Sequence, residues 1–138
     1  MILFINGSPN KDGNTARLAR ELIGDRPYEQ LNLAEHKVYG YGQNYGDDDF
    51  EDVLARIEAA DTLVVGSPVY WHSLSGMLRN LLDRFYGPVR EGSMSGKTLY
   101  FVFQGGAPTR EMLDWGEYTM KRFAALYGMT YGGMVDNT

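Results

Sequence analysis

Hydrophobic positions along the chain follow two patterns in turn, short unbroken apolar runs and helical stripes, with polar turns between them. Ile2 to Ile5 is an uninterrupted apolar run ended by Asn6-Gly7-Ser8-Pro9, as expected of a strand buried on both faces and stopped by a turn. Leu18, Ala19, Leu22 and Ile23 then share a helical stripe while Arg17, Arg20 and Glu21 face away, which predicts a helix over about 15–23 capped by Asn14 or Thr15. Tyr28 to Leu33 reads as a short edge strand, and Ala34 to Asp49 as a polar connection rich in Gly and Tyr. Phe50, Val53, Leu54 and Ile57 return to helical spacing and lead to a strand, Thr62 to Val65, stopped by Gly66-Ser67-Pro68. A third helix carries Leu74, Met77, Leu78, Leu81, Leu82 and Phe85 on one face, and Thr98 to Phe103 makes the next strand, stopped at Gly105-Gly106. A last helix over about 110–127 ends at Gly128, and Tyr131 to Val135 supplies a fifth strand. Strand and helix alternate throughout, the signature of an α/β domain with a parallel sheet and right-handed crossovers.

Composition narrows the chemistry. With 138 residues the chain has room for one domain, 1–138, and 43% hydrophobic against 22% charged residues suits a folded, soluble protein. Thirteen Lys and Arg against eighteen Asp and Glu give a formal net charge of -5, which argues against nucleic acid and anionic membrane as partners. The absence of cysteine removes disulfides, iron-sulfur clusters, thiolate zinc sites and cysteine nucleophiles, and two histidines, His36 and His72, do not rebuild a metal site, so the metal expectation is none. No apolar run approaches the roughly 20 residues that cross a bilayer, and the amino end lacks a basic leader and cleavage pattern; the expected location is cytoplasmic.

In a parallel α/β sheet the strands' carboxyl ends share one edge, and ligands settle where strand order reverses. Three loops fall there. The first, Gly7 to Thr15, is rich in small residues and hydroxyls directly before a helix, where free N–H groups and the dipole favour an anion. Its spacing matches neither the Walker loop nor the dinucleotide fingerprint; its plain alternative is a turn and helix cap. The second, Gly66 to Ser73, places Tyr70 and Trp71 where exposure is normally avoided, which suits a flat ring. The third, Gln104 to Pro108, offers unobstructed N–H groups and one amide. Phosphate on one side and a planar heterocycle on the other match flavin mononucleotide.

The segments Asn6–Thr15, Gly66–Trp71 with a following Ser73–Arg84 helix, and Phe103–Pro108 resemble, in order and spacing, the flavodoxin-like NAD(P)H-dependent FMN reductases. The resemblance implies a flavodoxin-like three-layer sandwich with a five-stranded sheet of order 2-1-3-4-5. It also implies Ser8, Asn10, Gly13, Asn14 and Thr15 around the FMN phosphate, Pro68, Val69, Tyr70 and Trp71 along the ring system, and Gln104, Gly105, Gly106 and Ala107 near its pyrimidine edge. Some members of that family carry a cysteine cluster between the second strand and second helix; here Tyr39 to Tyr45 stands instead, so iron-sulfur chemistry does not carry over. The expected activity is an FMN-dependent oxidoreductase taking hydride from NADPH or NADH and reducing a quinone, flavin, azo or nitro compound. Its rivals are a flavodoxin-like single-electron carrier and a flavin-free interaction domain of the same fold.

His72 is a candidate to contact substrate or donate a proton, against the plainer role of a polar loop contact. Asp83-Arg84 reads as a fold-supporting ion pair or cap, and Asp47 to Asp52 as a solvated acidic turn suited to a helix start. Arg79, Arg90 and Arg110 are candidates for a nicotinamide 2′-phosphate. No helix follows the fifth strand within the 138 residues, whereas a doubly wound sheet has helices over both faces. The expectation is a homodimer or larger assembly drawing on Trp71, Tyr86, Trp115 and Tyr118, against a shifted first helix or a shortened form of a longer product.

Overall fold

Strands β1 (Ile2–Asn6), β2 (Tyr28–Asn32), β3 (Thr62–Pro68), β4 (Thr98–Gln104) and β5 (Thr130–Val135) form one parallel sheet. Its order is β2-β1-β3-β4-β5 in the computed structural model, which describes all residues, Met1–Thr138. Helices α1 (Asn14–Ile23), α2 (Phe50–Ala59), α3 (Gly76–Asp83) and α4 (Arg110–Leu126) cross between successive strands, with a single 3-10 turn at Leu33–Glu35. This is the flavodoxin-like arrangement expected, with four α-helices and none after β5.

Alternating strand residues build a core on each face. Leu3, Ile5, Leu63, Val65, Leu99, Phe101 and Phe103 pack with α2, α3 and α4 in a cluster of 24 buried residues. Ile2, Phe4, Val64 and Val102 pack with Ala16, Ala19 and Ile23 of α1 in a cluster of 7. One helix therefore covers one face and three cover the other. Tyr100, packed against the α1-side cluster, lays its ring against Gly132 of β5, where an added Cβ would stand 2.4 Å from Tyr100 Cε1.

Several boundaries move. Pairing of Gly66, Ser67 and Pro68 with Val102, Phe103 and Gln104 carries β3 through the expected stop at Gly66, because β4 beside it is equally long. β2 ends at Asn32, and Leu33 opens the 3-10 turn instead. The helix expected from Ser73 begins at Gly76, after Ser75 has capped it by accepting the Leu78 N–H. The cap of α1 is Gly13, so Asn14 and Thr15 lie inside the helix.

The connection before α2 is pinned rather than loose. Arg84 grips Asp48 through Nη1 and Nη2 at 2.5 and 3.2 Å, donates to the Tyr39 carbonyl at 3.1 Å, and lies 4.9 Å above the centre of the Phe50 ring. Arg84 thus supports the fold as expected, with Asp48 as its partner in place of Asp83. Asp48 is correspondingly no solvated turn residue: it also accepts from the Phe50 and Tyr39 N–H groups.

Candidate functional site

The three loops at the strands' carboxyl ends are joined by backbone. Gly7 N–H donates to the Gly66 carbonyl at 2.8 Å, and Val69 N–H donates to the Gln104 carbonyl at 2.7 Å. A Cβ on Gly7 would stand 2.8 Å from that Gly66 oxygen, so glycine is what allows the first two loops to touch. Ser75 closes the junction from below, donating its hydroxyl to the Gly7 carbonyl at 2.7 Å and its N–H to Ser67 Oγ at 2.9 Å.

The first loop leaves several polar hydrogens without an acceptor in the chain. Ser8 is buried; its oxygen accepts the Asn10 N–H at 3.0 Å, which leaves its own proton to donate elsewhere. No side chain caps α1, whose first-turn N–H groups at Asn14, Thr15 and Ala16 have no intrahelical acceptor. An uncapped helix start beside a donor hydroxyl is a cradle for an anion. Thr15 also reaches the third loop. Its side chain is turned inward at 1% exposure, and its hydroxyl oxygen accepts from Gln104 Nε2 at 3.0 Å. Asn10, Gly13 and Asn14 stand at the loop's rim, Asn10 and Asn14 exposed and Gly13 half-buried.

The second loop is built on strain. Tyr70 and Ser73 exchange N–H···O bonds of 3.0 Å each, closing a two-residue hairpin around Trp71 and His72. Both tip residues take positive φ, 46° and 67°, and they are the chain's two non-glycine residues that do. That is the primed-turn geometry that Asn and Gly normally fill. Trp71 is 95% exposed and Tyr70 44%. His72 is exposed beside them with no side-chain partner among the hydrogen bonds of the loop, while Pro68 is buried in β3 and Val69 half-buried against Gly105.

The third loop is held by a residue the sequence did not single out. Asn137 clasps Gly105 from both sides, accepting its N–H at 3.3 Å and donating to its carbonyl at 2.7 Å. Gly106 and Ala107 are open to solvent, and Gly106 has nothing within 4 Å of a Cβ position. Asp136 anchors the same tail: hydrogen bonds from Thr138 and the nearby Arg110 hold its carboxyl below the usual carboxylate range. Asn137 had no sequence signal, because a lone amide after a strand resembles any turn residue.

The three arginines separate. Arg110 is committed to Asp114 at 2.9 Å and Asp136 at 3.7 Å. Arg79 lines a groove of about 300 Å³ between α3 and α4, with Tyr86, Tyr118 and Arg122. Arg90 is exposed in the loop before β4. No group of three His, Cys, Asp or Glu side chains is placed to hold a metal.

A profile of the family described as NADPH-dependent FMN reductase matches residues 1–134. Over 120 residues the chain is 27% identical to a Bacillus subtilis (strain 168) protein named as an NAD(P)H-dependent FMN-containing oxidoreductase, covering 76% of this chain and 66% of that one. An iron-sulfur flavoprotein of Methanocaldococcus jannaschii is 31% identical over 97 residues, 60% of this chain and 50% of its own. The chain thus spans between half and two thirds of the length of these curated relatives. The solved structure of a Trp repressor binding protein from Bacillus subtilis shares the fold, with a TM-score of 0.80 over 100% of this chain and 88% of that one at 24% identity.

Proposed function

The chain belongs to the NADPH-dependent FMN reductase family, and from that premise we propose that it binds FMN across the three joined loops and acts as an oxidoreductase. The electron donor is NADPH or NADH, and the acceptor is a small molecule such as a quinone, flavin, azo or nitro compound. One observation carries this reading: the Gly7–Gly66 and Val69–Gln104 backbone bonds join the three loops into one rim that carries both an uncapped helix start and exposed aromatic rings. A phosphorylated planar ligand is the chemistry that such a rim fits.

When bound, FMN supplies the hydride-accepting and electron-donating chemistry. The chain's own residues position it. Ser8 and the N–H groups at the start of α1 hold the phosphate, with Asn10, Gly13 and Asn14 at its edge, and Tyr70 and Trp71 offer flat surfaces to the ring. Gly106 and Ala107 face the pyrimidine edge with free backbone N–H groups, which favour negative charge there. Thr15 acts from behind, holding the Gln104 amide. The absence of a buried acid–base cluster agrees with chemistry that resides in the cofactor.

Anaerobic mixing of the protein with FMN and NADPH tests the reading. Flavin retention and rapid bleaching of its visible absorbance are expected. Bound flavin that NADPH and NADH leave oxidised would instead mark an electron carrier, and no retention would mark a flavin-free domain.

The homodimer is part of the proposal, on the face that carries α3 and α4. Tyr86, Trp115, Tyr118 and Leu126 are 61%, 63%, 57% and 40% exposed there, and Trp115 and Tyr118 meet edge to face at 5.9 Å. Large exposed aromatics so close together are unusual on a monomer's surface. Light scattering over a dilution series should report twice the chain mass; monomer at low micromolar concentration would remove the dimer and leave the flavin reading intact.

A further inference from the structure

The edge strand β2 reaches into the first loop through side chains. Asn6, fully buried at the end of β1, accepts the Ser8 N–H on Oδ1 at 3.1 Å and donates from Nδ2 to the Asn10 carbonyl and to Asn32 Oδ1, each at 3.1 Å. Backbone partners fix the amide's orientation, because Ser8 N–H only donates and the Asn10 carbonyl only accepts. Asn32 must then turn its oxygen to Asn6, and its nitrogen donates to Glu35 Oε1 at 3.0 Å. Gln30 donates to that same Asn32 oxygen and to the Lys11 carbonyl, both at 2.8 Å. A connected path therefore runs from the Glu35 carboxylate through the amides to the loop backbone at Ser8, Asn10 and Lys11, and no buried side-chain polar atom in the chain is left without a partner.

The path takes hold of the loop from its inner side. It occupies the carbonyls of Asn10 and Lys11, which would repel an anion, and turns them toward the sheet. What remains without an acceptor is the donor set, the Ser8 hydroxyl proton and the first-turn N–H groups of α1. A loop held in this arrangement before the ligand arrives need not be ordered on binding.

We propose that Gln30 and Asn32 are positioning residues for the flavin phosphate, Gln30 acting through the Lys11 carbonyl and Asn32 through the Asn6 amide that holds the Asn10 carbonyl, so that the first loop is set as a phosphate cradle. The proposal rests on the reading that this loop takes the FMN phosphate, and it separates the phosphate from the ring. Damage to β2's amides should weaken binding of a flavin that has a phosphate and spare one that lacks it.

Titration of flavin fluorescence with wild type, Asn32→Leu and Gln30→Met, using FMN and riboflavin in parallel, tests this. Gln30 is half-buried on an edge strand, so its variant keeps the test available if Asn32→Leu does not fold. Wild type should prefer FMN, and each folded variant should lose about tenfold or more of its FMN affinity with riboflavin affinity held. FMN affinity unchanged in Gln30→Met, or FMN and riboflavin affinities falling together, would overturn the proposal and leave the flavin reading standing. A wild type that binds neither flavin would overturn the reading beneath it, and the proposal with it.

Discussion

The first and second loops lie side by side, yet they are held in opposite ways. Gly7 to Gly13 has no regular structure and is gripped from within by Asn6 and Gln30, which Asn32 joins, while its remaining donors are left without acceptors in the chain. Tyr70 to Ser73 is regular, a closed two-residue hairpin, but its tip carries two residues that disfavour its backbone angles and an almost wholly exposed tryptophan. The contrast follows from what each is suited to bind. A phosphate is recognised by donors in fixed directions, so the polypeptide around it gains from a neutral polar network that removes freedom in advance. A ring is recognised by area, so its loop must expose apolar surface and accept the local cost of doing so.

The strongest way to break the comparison is to push the loops apart. Gly7→Ala places a methyl 2.8 Å from the Gly66 carbonyl oxygen, which is held there by the Gly7 N–H at the end of the β1–β3 pairing and cannot retreat without parting those strands. The variant should lose about 2–3 kcal/mol of stability, the range for overfilled sites, with retention of FMN abolished. Thermal melts and flavin titration measure both. A variant as stable as wild type that still retains flavin would show that the junction does not organise the site.

Next in size is the Ser8 hydroxyl. Ser8→Ala removes a donor to a charged group, so FMN affinity should fall by about 1.5–3 kcal/mol with riboflavin unaffected. Thr15→Ala should behave differently, since its hydroxyl oxygen holds the Gln104 amide of the third loop: that amide loses its rest, and both flavins should weaken together. Equal FMN-selective losses in the two variants would return Thr15 to the phosphate.

These distinctions mark how far the residues could be read in advance. The alternation of apolar runs with helical stripes carried the number of strands and helices and the parallel sheet, because burial on both sides of a strand leaves an unbroken apolar run whatever the tertiary details; the strand order came from the resemblance of the loops to the flavodoxin-like reductases. The end of β3 was not legible: Gly66-Ser67-Pro68 has turn chemistry, and only the length of the neighbouring β4 keeps it extended. The loops themselves stood out by composition. The division of labour within them did not, since Thr15 and Ser8 are both small hydroxyl residues in sequence and differ in the partner each oxygen accepts from, Gln104 Nε2 or the Asn10 N–H. Asn32, Gln30 and Asn137 were illegible for the same reason, each an ordinary amide until a partner about 20 to 30 residues away is placed beside it.

The second loop can be relaxed on purpose. Trp71→Asn with His72→Gly supplies residues that accept positive φ, and removing two unfavourable backbone positions should raise stability by about 1–2 kcal/mol. The preference for FMN over riboflavin should survive, because the first loop is untouched, while the bound flavin's visible spectrum and its rate of reduction by NADPH should change. A rise in stability with spectrum and rate unaltered would mean that the exposed tip serves something other than the ring.

The smallest expected effect sharpens the comparison by supplying a third kind of hold, an ionic one. The Asp48–Arg84 pair secures the connection before α2, and the hydrogen bond from Arg84 draws the Asp48 carboxyl below the ordinary carboxylate range, with burial opposing and the Phe50 and Tyr39 N–H groups assisting. A carboxylate whose folded pKa is depressed contributes stability that is present above its unfolded value, near 3.8, and is lost as pH falls through the lowered folded value. Asp48→Asn should therefore cost about 1 kcal/mol at pH 7, part of the hydrogen bonding being kept by the amide. The gap between wild type and variant should close as the solution is acidified through that range. The amides that hold the first loop's carbonyls carry no charge, so at pH 7 the variant should keep the wild-type ratio of FMN to riboflavin affinity. Denaturant midpoints across the acid range, paired with flavin titrations at pH 7, decide the matter. A stability gap that stays constant into acid would show that the pair's contribution is not the ionised carboxylate, and a lost flavin preference would show that the two regions are one coupled structure rather than neighbours held by different physics.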